Sequence, residues 1–578
     1  MNLKPSKLKQ GFKPCMDMAR RDLCRFWLLP AAALLAFVLF AVIPDLKPVQ
    51  IMTRNNPLQD KPVILLVAAI LPVLASLSVF TWLHNQRMSA RIHALPLTRN
   101  QHFFSHVFSG WVLSILPFVI LFLAYMYMMG HSDMQMLLVT ETDYYGNAYF
   151  WTWLADMLIT VTYVYNLSVL AGILAGTVLT HLLLAMLLNG LLPVAVYLIN
   201  RMVIEFWTGF YSLPLASSQL SPLTREWRFT YFRYLDSTAA YLIYTAVALA
   251  ALLMAWLLYR RLKLEREGGS AAFKGFGEFV CVCFGFVGLC SGGMLLYSVS
   301  DSRDKALFLM GAAIGGLIFY IAARMILEKR LQIFSPANLK KLCAFVLCGA
   351  AFAVFMVFDL GGYAKRLPEV SDTTAVKVHG HFEPDDDMLL NDPAMLEKSR
   401  ELGLALAEHG KPGEDAGKYD GKIFFTYYLD EGDARIVHRF YSFDPVQPDI
   451  AGAYAALFDD PAYKKLSLLY GLTADEISEM LLCPDSINDR HDMMYIIDPS
   501  HFNALAEAIR EDFRSMTYAD LIKAREQNKT PICGLNLMIK DASGNGSSSN
   551  YNLDLRQDYS RTLQVLKKYG YDKYIPKL

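Results

Sequence analysis

Residues 151–203 read WTWLADMLITVTYVYNLSVLAGILAGTVLTHLLLAMLLNGLLPVAVYLINRMV. The stretch is almost continuous hydrocarbon. As one α-helix it would be ~80 Å long at 1.5 Å per residue, against a bilayer core of ~30 Å. It therefore predicts two membrane-crossing helices, Trp151–Ala175 and Val178–Val203, that turn at Gly176-Thr177. Backbone polar groups in lipid are satisfied only within a helix, so the hairpin sets the fold class.

The same reading extends in both directions. Apolar runs at Phe26–Ile43, Pro62–Leu83, Val107–Met129, Thr238–Tyr259, Phe279–Val299, Ala306–Ile326 and Leu342–Leu360 are each long enough to span. The expectation is an all-α polytopic membrane domain of about nine transmembrane helices. The leader before Phe26 is long and basic, and Pro44-Asp45-Leu46 stands where a cleaved signal has small residues. The first run is read as an uncleaved span. Apolar residues make up 54% of the chain and charged residues 19%, which excludes an ordinary soluble protein.

Lys and Arg in the loops give a direction. With the N-terminus in the cytoplasm, the inner segments hold 20 basic residues and the outer loops 8. The N-terminus is expected inside, and the odd number of spans then puts the C-terminal part outside.

After Tyr363 charges recur every few residues and no run is long enough to cross a bilayer. Residues 363–578 are expected to form an extracytoplasmic α+β domain. Thr374–Phe382 and Met493–Ile497 read as strands, and Asp392–His409 reads as an amphipathic helix. Ile423–Leu429 and Ile436–Phe443 flank the hairpin signal Asp430-Glu431-Gly432-Asp433. Thr473-Ala474-Asp475-Glu476 is a capping box expected to open a short helix. Asp498-Pro499 begins a helix to Phe513, and Ser560–Tyr569 a last one. No internal repeat is evident.

Catalytic chemistry has little support. Gly417-Lys418 is the nearest approach to a phosphate loop, with Tyr419 after it and Pro412 where the first glycine belongs. No catalytic residue, cofactor or nucleic-acid surface is expected. His379, His381, Glu383 and Asp385–Asp387 resemble a metal set, but read better as a strand end entering an acidic loop, so no metal is expected. Cys281, Cys283, Cys290, Cys343 and Cys348 lie in apolar runs and suit helix packing. Cys483 and Cys533 form a possible disulfide if their domain is outside the cell. Asp156, Asn166, His181 and Asn189 are polar residues within the spans, where each is either a transport-path or a packing group.

The loop after the second run reads Arg91-Ile92-His93-Ala94-Leu95-Pro96-Leu97-Thr98-Arg99-Asn100. It resembles the S-L-P-[LV]-[ST]-R segment of ABC-2-type ABC transporter permease subunits of Gram-positive bacteria, with Ala94 where that family more often has Ser. The turn in Gly172–Asn189 and the exit Leu257–Glu265 are similar to the same family. Residues 361–578 resemble the outer domain of its acetoin-uptake-type group through Phe424–Phe443 and Leu566–Tyr571.

The resemblance implies a six-span permease core (1–265), three additional transmembrane helices (266–362) and an outer domain (363–578). It implies a bacterial cell membrane, a separate ATP-binding ABC subunit and a second permease subunit, as homo- or heterodimer. Membrane lipid is the surrounding partner. Met88, Ile92 and Leu95 recur at near-helical spacing beside Arg87 and Arg91. Arg87, Arg91, Ile92, Leu95, Pro96, Leu97, Thr98 and Arg99 are thus the expected ATPase-coupling loop, with the basic leader beside it. The alternative is a non-transporting membrane sensor with a ligand-binding outer domain.

Overall fold

The apolar runs fold as helices because only a helix closes its own backbone hydrogen bonds without water. The structure is a computed structural model. It describes residues 5–45, 61–95, 97–131, 147–211, 220–224, 238–261, 276–299, 303–328, 335–380, 388–410, 421–429, 435–484, 495–527, 531–540 and 548–575. The chain divides into two units, Met1–Ile199 with Leu213–Ala353, and Asn200–Ser212 with Val354–Leu578. The first unit thus takes in residues on both sides of residue 265, as far as Ala353.

The helices are α1 (Pro5–Arg25), α2 (Leu28–Phe37), α3 (Pro62–Phe80), α4 (Gln86–His93), α5 (Arg99–His131), α6 (Asn147–Leu174), α7 (Val178–Phe206), α8 (Thr238–Arg261), α9 (Phe276–Val299), α10 (Lys305–Glu328) and α11 (Pro336–Val357). Among the described residues, eight helices are long and apolar enough to cross a membrane, namely α3 and α5–α11. These make the chain a multi-pass membrane protein by length and composition.

The expected ninth span, Phe26–Ile43, is part of a bent pair, Pro14–Arg25 and Leu28–Val42, with 52° between its arms. Pro30 has no N–H to give the Phe26 carbonyl, so the helix breaks there. The count is eight, or nine if the bent pair crosses as one span.

The predicted hairpin is present. α6 ends at Leu174 and α7 starts at Val178. Thr177 and Thr180 cap the turn, each side-chain oxygen accepting from the other residue's backbone N–H at 3.0 and 3.2 Å. α9 and α10 pack through glycines. A Cβ on Gly315 would lie 2.2 Å from the Gly288 carbonyl oxygen, and one on Gly292 would lie 2.6 Å from that of Gly311. Lipid gives no hydrophobic drive between helices, so close backbone approach supplies the attraction.

The second unit holds two four-stranded antiparallel sheets. β1 (Thr373–Gly380), β2 (Met388–Leu390), β3 (Gly421–Leu429) and β4 (Ile436–Phe443) pair in the order β2-β1-β3-β4. β5 (Ile477–Cys483), β6 (Tyr495–Ile496), β7 (Cys533–Lys540) and β8 (Ser548–Leu555) pair as β6-β5-β7-β8. α12 (Pro393–His409) and α13 (Pro448–Phe458) accompany the first sheet. α14 (Phe502–Ser515), α15 (Tyr518–Gln527) and α16 (Ser560–Lys568) accompany the second.

Each half runs strand, strand, helix, strand, strand, helix, with α15 added after α14 in the second half, and its strands take the same spatial order. Each first strand carries a bulge near its start, at Thr373/Ala375 and at Ile477/Glu479. An Asp-Pro pair opens the first helical segment of each half. The domain is therefore a repeat of one topology, contrary to the sequence expectation. The copies share strand order, a bulge and an Asp-Pro start rather than side chains, so no matching string betrays them. One continuous core joins them, with Val378, Phe425 and Tyr454 from the first half and Met480, Leu535 and Leu566 from the second.

Two other expectations change. The capping box at Thr473 forms, with Thr473 N–H donating to the Glu476 carboxylate at 2.9 Å. It opens only a 3-10 turn, Ala474–Glu476, because the bulged strand β5 follows at once. The strand read at Met493–Ile497 is described only as Tyr495–Ile496.

Candidate functional site

The loop between α3 and α5 is built from its caps. A 3-10 turn, Thr81–His84, follows α3. The Asn85 side-chain oxygen accepts from the N–H groups of Arg87 and Met88 at 3.0 and 3.4 Å, which starts α4. Thr98 and Gln101 cap α5 reciprocally. Thr98 N–H donates to Gln101 Oε1 at 2.8 Å, and Gln101 N–H donates to Thr98 Oγ1 at 3.3 Å.

α4 is amphipathic. Met88 and Ile92 are half-buried against the core of the first unit, and Arg87 and Arg91 are exposed. Leu95 is 40% exposed, Leu97 is half-buried, and Thr98 and Arg99 are exposed. Pro96 lies outside the described residues. The Arg99 guanidinium donates to the Arg260 carbonyl at 3.3 Å, and Trp256 Nε1 donates to Asn100 Oδ1 at 3.2 Å. The loop is thus fastened to the end of α8. The result is a short helix with its cations outward and its apolar side anchored.

The leader is fastened as well. His106 Nδ1 and Ser109 Oγ, both on α5, donate to the Asp22 carboxylate on α1 at 2.6 and 3.0 Å.

The intramembrane polar residues fall into separate places. His181 Nε2 faces the Ser168 carbonyl oxygen at 2.8 Å, which only accepts, so Nε2 carries the proton. Nδ1 of His181 then accepts from His84 Nε2 at 3.2 Å. Ser76 Oγ lies 3.3 Å from His181 Nε2, and Asn189 donates to Ser168 Oγ at 3.3 Å. Gly172 leaves room for the imidazole, since a Cβ there would lie 2.7 Å from His181 Cε1. This knot ties the last turn before α4 to the α6–α7 hairpin. Asn166 instead donates to the Ala248 carbonyl at 3.0 Å and joins α6 to α8. Asp156 is buried on α6 between Trp153 and Met157 of a separate core.

His84, Ser76 and Ser168 escaped the sequence reading. The available signal was a polar residue inside or at the end of an apolar run. Arg324, one of the 20 inner basic residues, has a side chain only 5% exposed. It pairs with Glu278 at 2.7 Å and Glu328 at 3.0 Å, and donates to Asn338 at 2.7 Å. Lys341 also pairs with Glu278.

In the second unit His379 is exposed on β1, while His381, Glu383 and Asp385–Asp387 lie outside the described residues. Among the described residues no group of three His, Cys, Asp or Glu side chains is arranged to hold a metal ion. Cys483 and Cys533 are buried free thiols on adjacent strands. The register sets Cys483 opposite Gly534, one residue out of step, which puts the two side chains on opposite faces of the sheet. Burial pushes the Cys533 thiol up to about 12.

The segment after α7 packs on the first sheet. Phe440 N–H of the edge strand β4 donates to the Gly209 carbonyl at 3.4 Å. Tyr211 meets Phe424 and His438. Trp207 Nε1 donates to the Met356 carbonyl at 2.8 Å, and its ring lies against Tyr363. Arg439 is buried, stacks on Tyr363 at 3.8 Å and donates to the Arg366 carbonyl. The ends of α7 and α11 are thus tied to one strand. The chain matches no family model, no curated protein and no solved structure.

Proposed function

We propose that the chain is the permease subunit of an ATP-driven transporter of the ABC-2 class, powered by a separate ATP-binding subunit. In this reading it has nine spans, a cytoplasmic N-terminus and an extracytoplasmic C-terminal domain in a bacterial cell membrane. A second permease subunit, a copy or a relative, completes the transporter. The excess of 20 basic residues over 8 supports the direction.

The observation that carries the reading is the loop between α3 and α5, whose short helix α4 turns Arg87 and Arg91 outward and whose far end is bonded to α8 through Arg99. ATP binding shifts the docked subunit, and α4 moves with it. The caps at Asn85 and Thr98 pass that movement to α3 and α5. The His84–His181 bond passes it to the α6–α7 hairpin. Each ligand state then selects one arrangement of the spans.

The test is purification of the full chain from its host membrane, with ATP hydrolysis and the identity of any Walker-motif subunit as readouts. Leu95→Asp and Arg99→Glu are expected to lose both the subunit and the activity, and Leu253→Asn on exposed α8 to keep them. Wild-type recovery of the subunit in both loop variants would sink the assignment.

A sensor is the second reading. The clamp of Trp207–Tyr211 on β4 favours it, because a ligand on the first sheet would pull on the end of α7. Full transport activity in vesicles with the clamp broken would exclude it.

A further inference from the structure

A cavity of about 240 Å³ lies between the α6–α7 hairpin and the α9–α10 pair. Its floor is buried and apolar, with Leu184, Val280 and Ala323 only 4, 5 and 6% exposed. Its one hydroxyl, on Thr180, is already bonded to the Thr177 backbone at 3.0 and 2.9 Å. Water inside would find no partners, and an apolar cavity of about 150 Å³ already stays dry and takes up apolar ligands. Left empty, the space would forfeit dispersion contacts along its whole lining.

The mouth shows what fills it. Ile318 and Phe319 at the lining are 58 and 43% exposed. Met310, Ile314 and Ile318 follow at i, i+4 spacing along α10, exposed by 48, 48 and 58%. This stripe on a membrane-length helix faces hydrocarbon and runs without a polar break into the cavity. At one end, lining residues Gly277 and Ala323 are followed directly by Glu278 and Arg324. These belong to the closed ion network with Glu328, Asn338 and Lys341. Charged side chains collect at the polar edge of a bilayer. The cavity therefore runs inward from headgroup depth.

We propose that this cavity binds one acyl chain of a membrane phospholipid, wedged between the hairpin and the α9–α10 pair. The proposal rests on the membrane placement of these helices and is independent of transport. The two acids of the network balance its two bases, so the chain rather than the headgroup is recognised.

The test uses the full chain in phosphatidylglycerol vesicles doped with a phosphatidylglycerol that carries a diazirine in its acyl tail. After illumination, adducts are mapped by peptide. Wild type is expected to be labelled at Leu184, Val280 and Ala323 above the level of Leu253 and Leu257, which are exposed on α8. Ala323→Phe fills the floor and Ile318→Trp blocks the exposed mouth. Each is expected to reduce cavity labelling to the α8 level or below, with α8 labelling unchanged. Ile318→Trp alters a surface position, so the test survives misfolding of the floor variant. Cavity labelling no higher than α8 in wild type, or undiminished in Ile318→Trp, overturns the proposal.

Discussion

The two halves of the C-terminal domain share a strand order but end differently. In the first half the edge strand β4 is occupied. Gly209 bridges to it, and Tyr211, Trp207 and Arg439 pack around the join. In the second half the edge strand β8 alternates buried Tyr551, Leu553 and Leu555 with half-buried Asn552 and Asp554. Polar groups on an edge discourage further pairing. One topology thus yields a strand that receives a neighbouring segment and a strand that resists one. The helices differ in the same sense. α13 starts without a side-chain cap, whereas α16 starts on the buried Asp512 of α14.

The second half also buries charge. Burial, and then the adjacent Arg556, brings the Arg525 guanidinium down to about 10. Burial lifts the Asp558 carboxyl to about 6. The first half's buried cation, Arg439, is met by backbone carbonyls and a ring.

The largest test of this contrast is Asp512→Ala. The carboxylate accepts from Thr562 N–H and Thr562 Oγ1, both at 2.8 Å, and from Arg561 N–H at 3.2 Å. Its loss should cost about 3 kcal/mol, read as a lower melting temperature in detergent and faster exchange of the α16 amides. Unchanged α16 exchange would mean the cap is idle.

Asp558 should give the next effect. Its folded pKa stands above its unfolded value, so the folded state holds more protons between roughly pH 4 and 6. Its contribution is complete at the acid end and is lost as pH rises through about 6. The loss is about 2–3 kcal/mol at pH 7. Asp558→Asn should flatten that part of a stability–pH profile, and a profile identical to wild type would refute the assignment.

The smallest effect belongs to the first half. Gly209 has φ +81°, and a Cβ would lie 2.6 Å from the Tyr441 ring. Gly209→Ala should cost about 1–2 kcal/mol and speed exchange of the Phe440 amide, with β8 amides unaffected. Equal acceleration in both halves would show that the halves are not separable.

Local structure was legible where one element carries its own signal. Gly176-Thr177 marked the α6–α7 turn because length alone forced it. Ile436–Phe443 was found from the turn signal beside it, Asp392–His409 from its amphipathic pattern, and the start at Asp498-Pro499 from cap chemistry. The strands β5, β7 and β8 were missed: Cys533–Lys540 is buried on both faces and shows little alternation, and Ile477–Cys483 is broken by its bulge. Among candidate site residues, α4 was legible as an amphipathic turn. The partners of His181 were not, because Ser76, His84 and Ser168 are far apart in the chain and meet only through packing.

The sequence by itself determined that the chain fills a membrane with helices and then changes composition near Tyr363. Those facts depend on polarity and length, which need no partner. Only the tertiary structure decided that Arg324 is buried in an ion network, that Gly209 closes the edge of a sheet, and that the C-terminal domain repeats one topology. Each of these depends on which surfaces meet, and a polarity pattern does not encode that for any residue alone.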